Sequence, residues 1–251
     1  MIDLHCHILP GVDDGSPDME TSLEMLRIAN RSGIRAIVAT PHCSRDFPEQ
    51  NLLSRQLADR FVRFNDLLTE EGIPVQVYPG MEIMVNEYFG DLLAQGRFLP
   101  LAGTAYMLIE FDFDTSPDVV EQAIGLVKRK KLIPLIAHPE RYYCVQWKPK
   151  LVERWKQAGA VMQVNRGSIQ GKLTEQAEIC AWKLLQEGWV SVVASDAHSS
   201  HFRRPELSSV LQELAEKFSW AYAAELLIVN PARILQGATT KEPFSSIRLP
   251  E

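Results

Sequence analysis

The sequence predicts an α/β fold in which seven strands alternate with helices and close into a distorted barrel. Three observations carry this expectation. Short apolar runs alternate with segments of helical periodicity along nearly the whole chain, the pattern of parallel strands joined by crossovers. Histidines or carboxylates stand at the ends of strands one, two, three, four, five and seven. Neither a GxGxxG turn nor a GxxxxGKS/T loop occurs, so the open nucleotide-binding sheets lose their best support. An open sheet would splay its first and last strands apart, whereas a closed barrel gathers every C-terminal strand end around one axis.

The elements follow in order. A strand-like run over 2–8 leads into the turn Pro10-Gly11-Val12-Asp13-Asp14-Gly15-Ser16-Pro17. A helix fits 19–32, with Leu23, Leu26 and Ile28 or Ala29 inward and Gly33 as its C-cap. Strand 36–40 precedes a helix over 51–71 that carries Leu53, Leu57, Phe61, Phe64 and Leu68 at spacings of three and four. Strand 75–78, a variable insert over 85–99 and strand 106–111 come next. Helices over 117–130, 151–157 and 174–187 alternate with strands over 132–137, 161–165 and 190–194. Helices over 205–217 and 221–227 finish the unit. The expected organisation is one catalytic barrel over 1–235 and a loose polar tail over 236–251 with two prolines.

Bulk properties narrow the function. A chain of 251 residues, 46% hydrophobic and 23% charged, supports a full core and argues against long disorder. A net charge of −6 argues against an electrostatically driven nucleic-acid binder. Cys6, Cys43, Cys144 and Cys180 form no CxxC pair, which favours reduced thiols over a zinc knuckle or redox motif. No cysteine is followed by the five-residue loop and arginine of a thiolate phosphatase. The start lacks a basic segment with an apolar run behind it, and no stretch approaches the ~18 apolar residues of a membrane span. A soluble, cytoplasmic protein without membrane insertion is expected.

The strand ends carry the chemistry. In His5-Cys6-His7 the period of two puts both imidazoles on one face and Cys6 on the other. Asp196-Ala197-His198 repeats that geometry at the other end of the chain. His42 and His138 close two further runs, and Glu82 and Glu110 close two more. Imidazole mixed with carboxylate suits a site for several divalent cations. A glutamate after a strand also caps helices or faces solvent, and it is the company of the histidines that favours ligation here. Asp13 and Asp14 fit either the site or ordinary turn chemistry. Cys6 and Cys43 read as packing residues rather than zinc ligands, and His201 as a solvated loop residue. Arg141, Arg203 and Arg204 follow presumed ligands closely, and guanidinium groups there suit an oxyanion substrate better than a surface ion pair.

Taken together, His5-x-His7, Ala39-Thr40-Pro41-His42, Gly80-Met81-Glu82, Ile109-Glu110-Phe111, the run from Ala137 to Arg141 and Ser195-Asp196-Ala197-His198 resemble the PHP (polymerase and histidinol phosphatase) superfamily. The opening from Asp3 to Gly15 is similar to the bacterial manganese-dependent tyrosine phosphatases of capsule and exopolysaccharide loci. The resemblance runs from Met1 to about Arg233 and implies a TIM-like PHP barrel with two to three divalent ions, manganese above all, with iron or zinc compatible. It implies one metal on His5, His7, Glu82 and Asp196, a second on bridging Glu82 with Glu110 and His138, and a third on His42 and His198 with an aspartate of the 13–14 turn. The resemblance leaves open which of the two serves that metal and which acts as general acid, Asp13 being the candidate ligand and Asp14 the candidate acid; Arg141 and Arg203 match the phosphate-holding arginines, with Arg204 the alternative to Arg203. At Cys43-Ser44-Arg45-Asp46-Phe47 the chain departs from the family's pattern of a second histidine.

The implied activity is hydrolysis of phosphotyrosine by direct attack of metal-activated hydroxide, without a phosphoenzyme. The implied partner is a phosphotyrosine-bearing protein, a bacterial tyrosine kinase of capsular polysaccharide synthesis. A histidinol-phosphate-type small-molecule phosphatase is the alternative; Glu110, where that type is expected to carry histidine, counts against it. A non-catalytic phosphotyrosine-binding scaffold is the third reading. A homo-oligomer is compatible with the helix over 19–32 and the segment 220–222, because periodicity does not separate an internal face from an interface.

Overall fold

The structure, a computed structural model, describes residues 1–43 and 52–238. Most of the departure noted at 43–47, and the tail beyond Ala238, therefore lie outside the described residues. The first half runs β1 (Ile2–Cys6), α1 (Met19–Arg31), β2 (Ala36–Ala39), β3 (His42–Cys43), α2 (Arg55–Glu70), β4 (Gln76–Pro79), β5 (Glu82–Met84) and α3 (Phe89–Gln95). The middle runs β6 (Tyr106–Glu110), α4 (Pro117–Arg129), β7 (Ile133–Ala137), α5 (Tyr143–Trp147), α6 (Leu151–Gln157), β8 (Val161–Asn165), α7 (Arg166–Ile169) and α8 (Glu175–Gln186). β9 (Val192–Ala194), α9 (Ser208–Lys217), α10 (Trp220–Ala224) and α11 (Asn230–Leu235) complete it.

Local chemistry sets the helix starts. Asp18, Ser54, Ser116 and Thr174 each accept a hydrogen bond from the backbone N–H three residues on, and Pro117 begins α4 where no N–H is needed. α2 therefore begins at Arg55, later than its apolar spacing suggests. α1 turns a slightly different face inward than expected. Ser22, Met25, Leu26 and Ala29 are buried and Leu23 only partly, because the Ser22 hydroxyl donates to the carbonyl of Ile8 across the interface. The insert over 85–99 contains α3, whose short apolar pattern gave no helical signal.

Among the described residues the seven expected strands appear as nine segments in two sheets, of order β1-β2-β4 and β3-β5-β6-β7-β8-β9, all pairs parallel. The difference arises because the second and third runs each break in two. Thr40-Pro41 separates β2 from β3, and Gly80-Met81 separates β4 from β5. Proline offers no N–H to a ladder. A Cβ at Gly80 would stand 2.7 Å from Val38 Cγ1 and 3.0 Å from Leu101 Cδ2, so only glycine fits that bend. The break lets the upper segments His42–Cys43 and Glu82–Met84 pair with each other and with β6, setting His42 opposite Glu82 and Met84 opposite Glu110.

The outer face of the strands packs against the helices in one large core that includes Met25, Phe64, Ile109, Ile136, Trp155 and Leu184. The inner face carries a second cluster of Leu4, Val38, Tyr106, Leu108, Leu135, Ala137, Val161 and Val192, covered by Ile234 of α11. Along β8 the inner positions read Val161, Gln163, Asn165, apolar low and polar at the C-terminal end. The start of the expected tail is held down, since the Tyr106 hydroxyl donates to the carbonyl of Ala238 at 2.9 Å.

The first and last strands lie side by side. The Asp196 N–H donates to the His5 carbonyl at 2.9 Å, the His7 N–H donates to the Ala197 carbonyl at 2.8 Å, and Cys6 bridges Ala197 in parallel. Buried Asp3 fastens this junction by accepting from both the backbone N–H and the hydroxyl of Ser195. We expect Asp3→Ala to lower stability by about 1–3 kcal/mol, because the Ser195 donors are left buried and unpaired. Denaturant unfolding measures it; a loss indistinguishable from zero would show the junction to be held by its backbone bonds alone.

Candidate metal centre

The residues singled out at the strand ends converge on one point. His5 and His7 come from the end of β1, Asp13 and Asp14 from the turn behind it, His42 from β3 and Glu82 from β5. Glu110 closes β6, His138 follows β7, and Asp196 and His198 follow β9. Three groupings offer their ligand atoms close together: His5, His7 and Asp196; His42, Glu82 and Glu110; and His7, Asp14, His42 and His198. Glu82 lies among them. Its Oε2 is 3.1 Å from His5 Nε2 and 3.2 Å from both His7 Nε2 and His42 Nδ1, while Oε1 meets His138 Nε2 at 3.0 Å.

Outer partners aim the rings. His5 Nδ1 stands 2.9 Å from Gln163 Oε1, His7 Nδ1 stands 2.8 Å from Asp13 Oδ2, and His198 Nδ1 stands 3.1 Å from the Asp196 carbonyl. Each of these oxygens accepts, so the ring proton sits on Nδ1 and the Nε2 lone pair faces the centre. His5 Nε2 and His7 Nε2 are then 3.1 Å apart with lone pairs converging. Glu82 Oε2 is buried and has no partner of hydrogen-bond geometry among the described residues. A buried carboxylate among imidazoles that turn lone pairs to the centre once their protons are displaced is a donor set that divalent cations fit.

The aspartate turn resolves differently from expectation. Asp13 accepts from His7 through Oδ2, from the His42 N–H at 2.9 Å through the same oxygen, and from the Gly15 N–H at 3.0 Å through Oδ1. Its oxygens orient the ligands rather than join them. Asp14 instead places Oδ1 3.4 Å from His42 Nε2 and 3.5 Å from His198 Nε2. A Cβ on Gly15 would come within 2.3 Å of the His7 carbonyl oxygen, so this turn closes over His7 only with glycine there.

Two of the aiming devices are backbone ones. His138 (φ +34°) and Asp196 (φ +50°) both take left-handed conformations directly after strands, at a cost of roughly 1–3 kcal/mol each. The turn redirects each side chain from the strand axis toward the centre. Arg141 and Arg203 reach the same carboxylate from outside. Arg141 Nη1 lies 3.7 Å from Asp196 Oδ2 with its guanidinium over the Phe113 ring, and Arg203 pairs with Asp196 through Nη2 while its Nε donates to the Asp196 carbonyl at 3.1 Å. Arg204 and His201 are exposed and make no contact with the ligand set among the described residues. Cys6 and Cys43 are buried free thiols that belong to the apolar core.

β8, which offers none of the proposed metal ligands, supplies the outer partners instead. Gln163 accepts from His5 and donates to Asn165 Oδ1 at 2.8 Å, and the Asn165 amide donates to Asp196 Oδ2 at 2.5 Å. Buried Glu140 accepts from the Ser168 hydroxyl at 2.6 Å and the Asn165 N–H at 3.1 Å, tying this strand end to the one before it. Sequence reasoning missed Gln163, Asn165, Glu140 and Asp3. The signal for the first two was present as a polar pair spaced by two at the end of an apolar run.

The electrostatics express a demand for positive charge. Burial works against charging His5, yet Glu82 and Asp196 push its pKa up to about 9. Burial likewise opposes charge on His42, and Glu82 with Glu110 push it up to about 10. Burial and the Glu82 charge raise Glu110 to about 7. Glu82 stays well below the usual carboxylate range despite its burial, held there by His5 and His42. His138 goes the other way, down to about 4, through burial and the nearby Arg141 charge.

Comparison with known proteins places this centre among relatives. Residues 1–236 match the family described as "Capsular polysaccharide synthesis, CpsB/CapC". The chain is 38% identical over 219 residues to the tyrosine-protein phosphatase YwqE of Bacillus subtilis, covering 87% of this chain and 85% of that one. It is 28% identical to the tyrosine-protein phosphatase CpsB of Streptococcus pneumoniae, covering 94% and 98%. Among solved structures it is similar, with a TM-score of 0.88, 36% identity and coverage of 95% and 96%, to a chain of the crystal structures of YwqE and CpsB, described as unique metal-dependent tyrosine phosphatases. A lactonase from Listeria monocytogenes, at a TM-score of 0.57 and 14% identity, shares the fold alone.

Two outcomes follow from the geometry. Gln163→Leu removes the acceptor that fixes His5, and we expect divalent-metal affinity, read by competition with a chelator, to fall about 10–100-fold; unchanged affinity in the folded variant would count against the orienting role. The second concerns pH. His5 and His42 are raised from their ordinary value of 6.5 to about 9 and about 10, so the stabilisation their charges give is complete below about 6.5 and lost as pH climbs through those values. The Tm of metal-free protein should therefore fall from pH 7 to 10 more steeply than that of metal-loaded protein, in which the protons have already been displaced. Parallel scanning-calorimetry profiles of the two forms would contradict this.

Proposed function

The chain belongs to the CpsB/CapC family of capsular polysaccharide synthesis, and on that premise we propose that it is a metal-dependent protein-tyrosine phosphatase. The single observation that carries the reading is the convergence of imidazoles and carboxylates on Glu82, with two arginines aimed at its rim. The proposed ligand sets are His5, His7 and Asp196; Glu82, Glu110 and His138 with His42 beside them; and His42, His198 and Asp14. Glu82 is the shared residue. The side-by-side first and last strands support a distorted barrel of seven βα units, one catalytic unit over 1–235.

Divalent ions in these positions, manganese by preference since carboxylates suit it, supply a water acidified toward neutral pH and charge to offset the phosphoryl oxygens. The chain's own residues do the rest. Arg141 and Arg203 present guanidinium groups from two sides of Asp196, where they hold and orient the phosphoryl oxygens. Phe113 under Arg141 keeps that group from swinging into solvent. Asp14, expected as general acid, is held well below the usual carboxylate range by the histidines beside it, His198 first among them with Nε2 at 3.5 Å, so it is ionised at neutral pH and suited to ligation. A tyrosyl leaving group, with an ordinary pKa near 10, departs without a strong acid. The proposed protein partner is a bacterial tyrosine kinase of polysaccharide synthesis, acted on in the cytoplasm, where buried free thiols such as Cys6 and Cys180 persist. No described helix is long and apolar enough to cross a membrane.

Phosphate release from a phosphotyrosyl peptide tests the reading. Metal-stripped protein should be inactive, manganese should restore turnover, and His138→Ala should abolish it. Arg141→Ala and Arg203→Ala should each lower kcat/KM by about 10²–10³ with metal content unchanged. Turnover of histidinol phosphate by the loaded protein, with none of the peptide, would transfer the assignment to a small-molecule phosphatase.

A further inference from the structure

Beside the metal centre, the loops after β8 and β9 enclose a cavity of about 260 Å³. Arg166, Lys172, Arg203 and Arg204 line it, with Asn165 on the side toward the centre. Arg203 and Asn165 also contact Asp196, so one wall is common to the cavity and the metal site. The volume is below the roughly 300 Å³ at which small-molecule pockets begin, which suits a single side chain.

Its charges do not balance. Arg203 is paired with Asp196. Arg166 is only 3% exposed; its Nη1 meets Glu206 at 3.3 Å, but its Nε–H is buried without a hydrogen-bond partner among the described residues. Glu206 is already engaged, since it also accepts from the hydroxyls of Ser208 and Ser209 and from the Ser209 backbone N–H. Burial opposes its ionisation, yet those bonds and Arg166 bring its pKa down to about 2. Lys172 and Arg204 form no ion pair among the described residues, and the Lys172 ammonium donates only to Gln170 Oε1 at 3.0 Å. Glu206 is the carboxylate ion-paired here, to Arg166; Asp3 acts on Arg166 and Glu213 on Lys172 through charge alone. A buried guanidinium with an idle N–H, and further cations at the mouth, is an arrangement that accepts a carboxylate through charge-assisted hydrogen bonds. Phe202, 79% exposed, stands at the edge and offers an apolar face to an incoming peptide chain.

We infer that this cavity is a specificity subsite for the side chain of a glutamate or aspartate near the phosphotyrosine of the substrate protein. The inference rests on the phosphotyrosine reading of the adjoining centre. Arg203 couples the two, holding a phosphoryl group on one side and closing the acidic subsite on the other.

The test uses manganese-loaded protein and a panel of phosphotyrosyl peptides, with glutamate placed at each of three positions on either side and glutamine as the neutral counterpart. Free phosphotyrosine and a peptide bearing a second phosphotyrosine complete the set. At least one glutamate position should raise kcat/KM about tenfold over glutamine, mainly through KM. That preference should vanish in the Lys172→Gln/Arg204→Gln double variant, whose substitutions are both at exposed positions. It should also shrink at high salt. Free phosphotyrosine, too short to reach the cavity, should be turned over equally by both proteins. Equal rates for glutamate and glutamine peptides would overturn the subsite, as would a double variant that lowers both alike. A preference seen only with the second phosphotyrosine would overturn the carboxylate assignment. Failure to hydrolyse even free phosphotyrosine would bring down the phosphatase reading, and the subsite with it.

Discussion

The buried carboxylate of Glu82 is the constraint around which the molecule is arranged. One of its oxygens accepts from His138 and the other, Oε2, has no hydrogen-bond donor among the described residues, though the rings of His5, His7 and His42 surround it. In a low-dielectric interior such a group is tolerable only if positive charge is close at hand. The surrounding imidazoles answer by taking up protons, as the raised pKa values of His5 and His42 show. Divalent cations meet the same need with fewer conflicts, because they accept the lone pairs that otherwise face one another. Affinity for protons and affinity for metal are thus two expressions of one buried negative charge.

Holding that charge in place falls to residues that never face the substrate. β8 contributes Gln163 and Asn165, Glu140 locks its end to the preceding strand, and Asp13 braces His7 and the backbone of His42 together. The junction between β1 and the segment after β9 carries a comparable duty, since it sets His5 and His7 against Asp196 and His198 across nearly the full length of the chain. Apolar packing below, from Leu4 to Val192, gives these polar bonds a rigid floor. The breaks at Pro41 and Gly80 also serve position over regularity: they release two upper strand segments to bring His42 and Glu82 opposite each other.

Outside this centre the basic side chains grade from ion-paired to exposed. Arg203 is anchored to Asp196, Arg166 is buried against Glu206, and Arg204 and Lys172 stand free at the surface. A surface of net negative charge elsewhere makes this local excess of cations a marked feature in recognising an acidic chain.

Much of this was legible in the sequence because it depends on short-range rules. Strand alternation fixes that His5 and His7 share a face, capping residues fix where helices begin, and the order of apolar runs fixes the parallel βα succession. The residues that the structure gathers at the candidate centre are ones that stand at or just beyond strand ends in the sequence. What the sequence could not decide were matters of distance between residues far apart or within irregular turns. Asp13 and Asp14 are neighbours with the same chemistry, and only the fold of their turn over His7 turns one outward to the rings and the other back to the backbone. Arg203 and Arg204 are equally ambiguous in the sequence, and only the loop pairs Arg203 with Asp196 and leaves Arg204 exposed. Gln163 became an orienting residue only when a partner 158 positions away arrived beside it. Local periodicity determines which face a side chain takes; the long-range closure of the strand order determines whom it meets there.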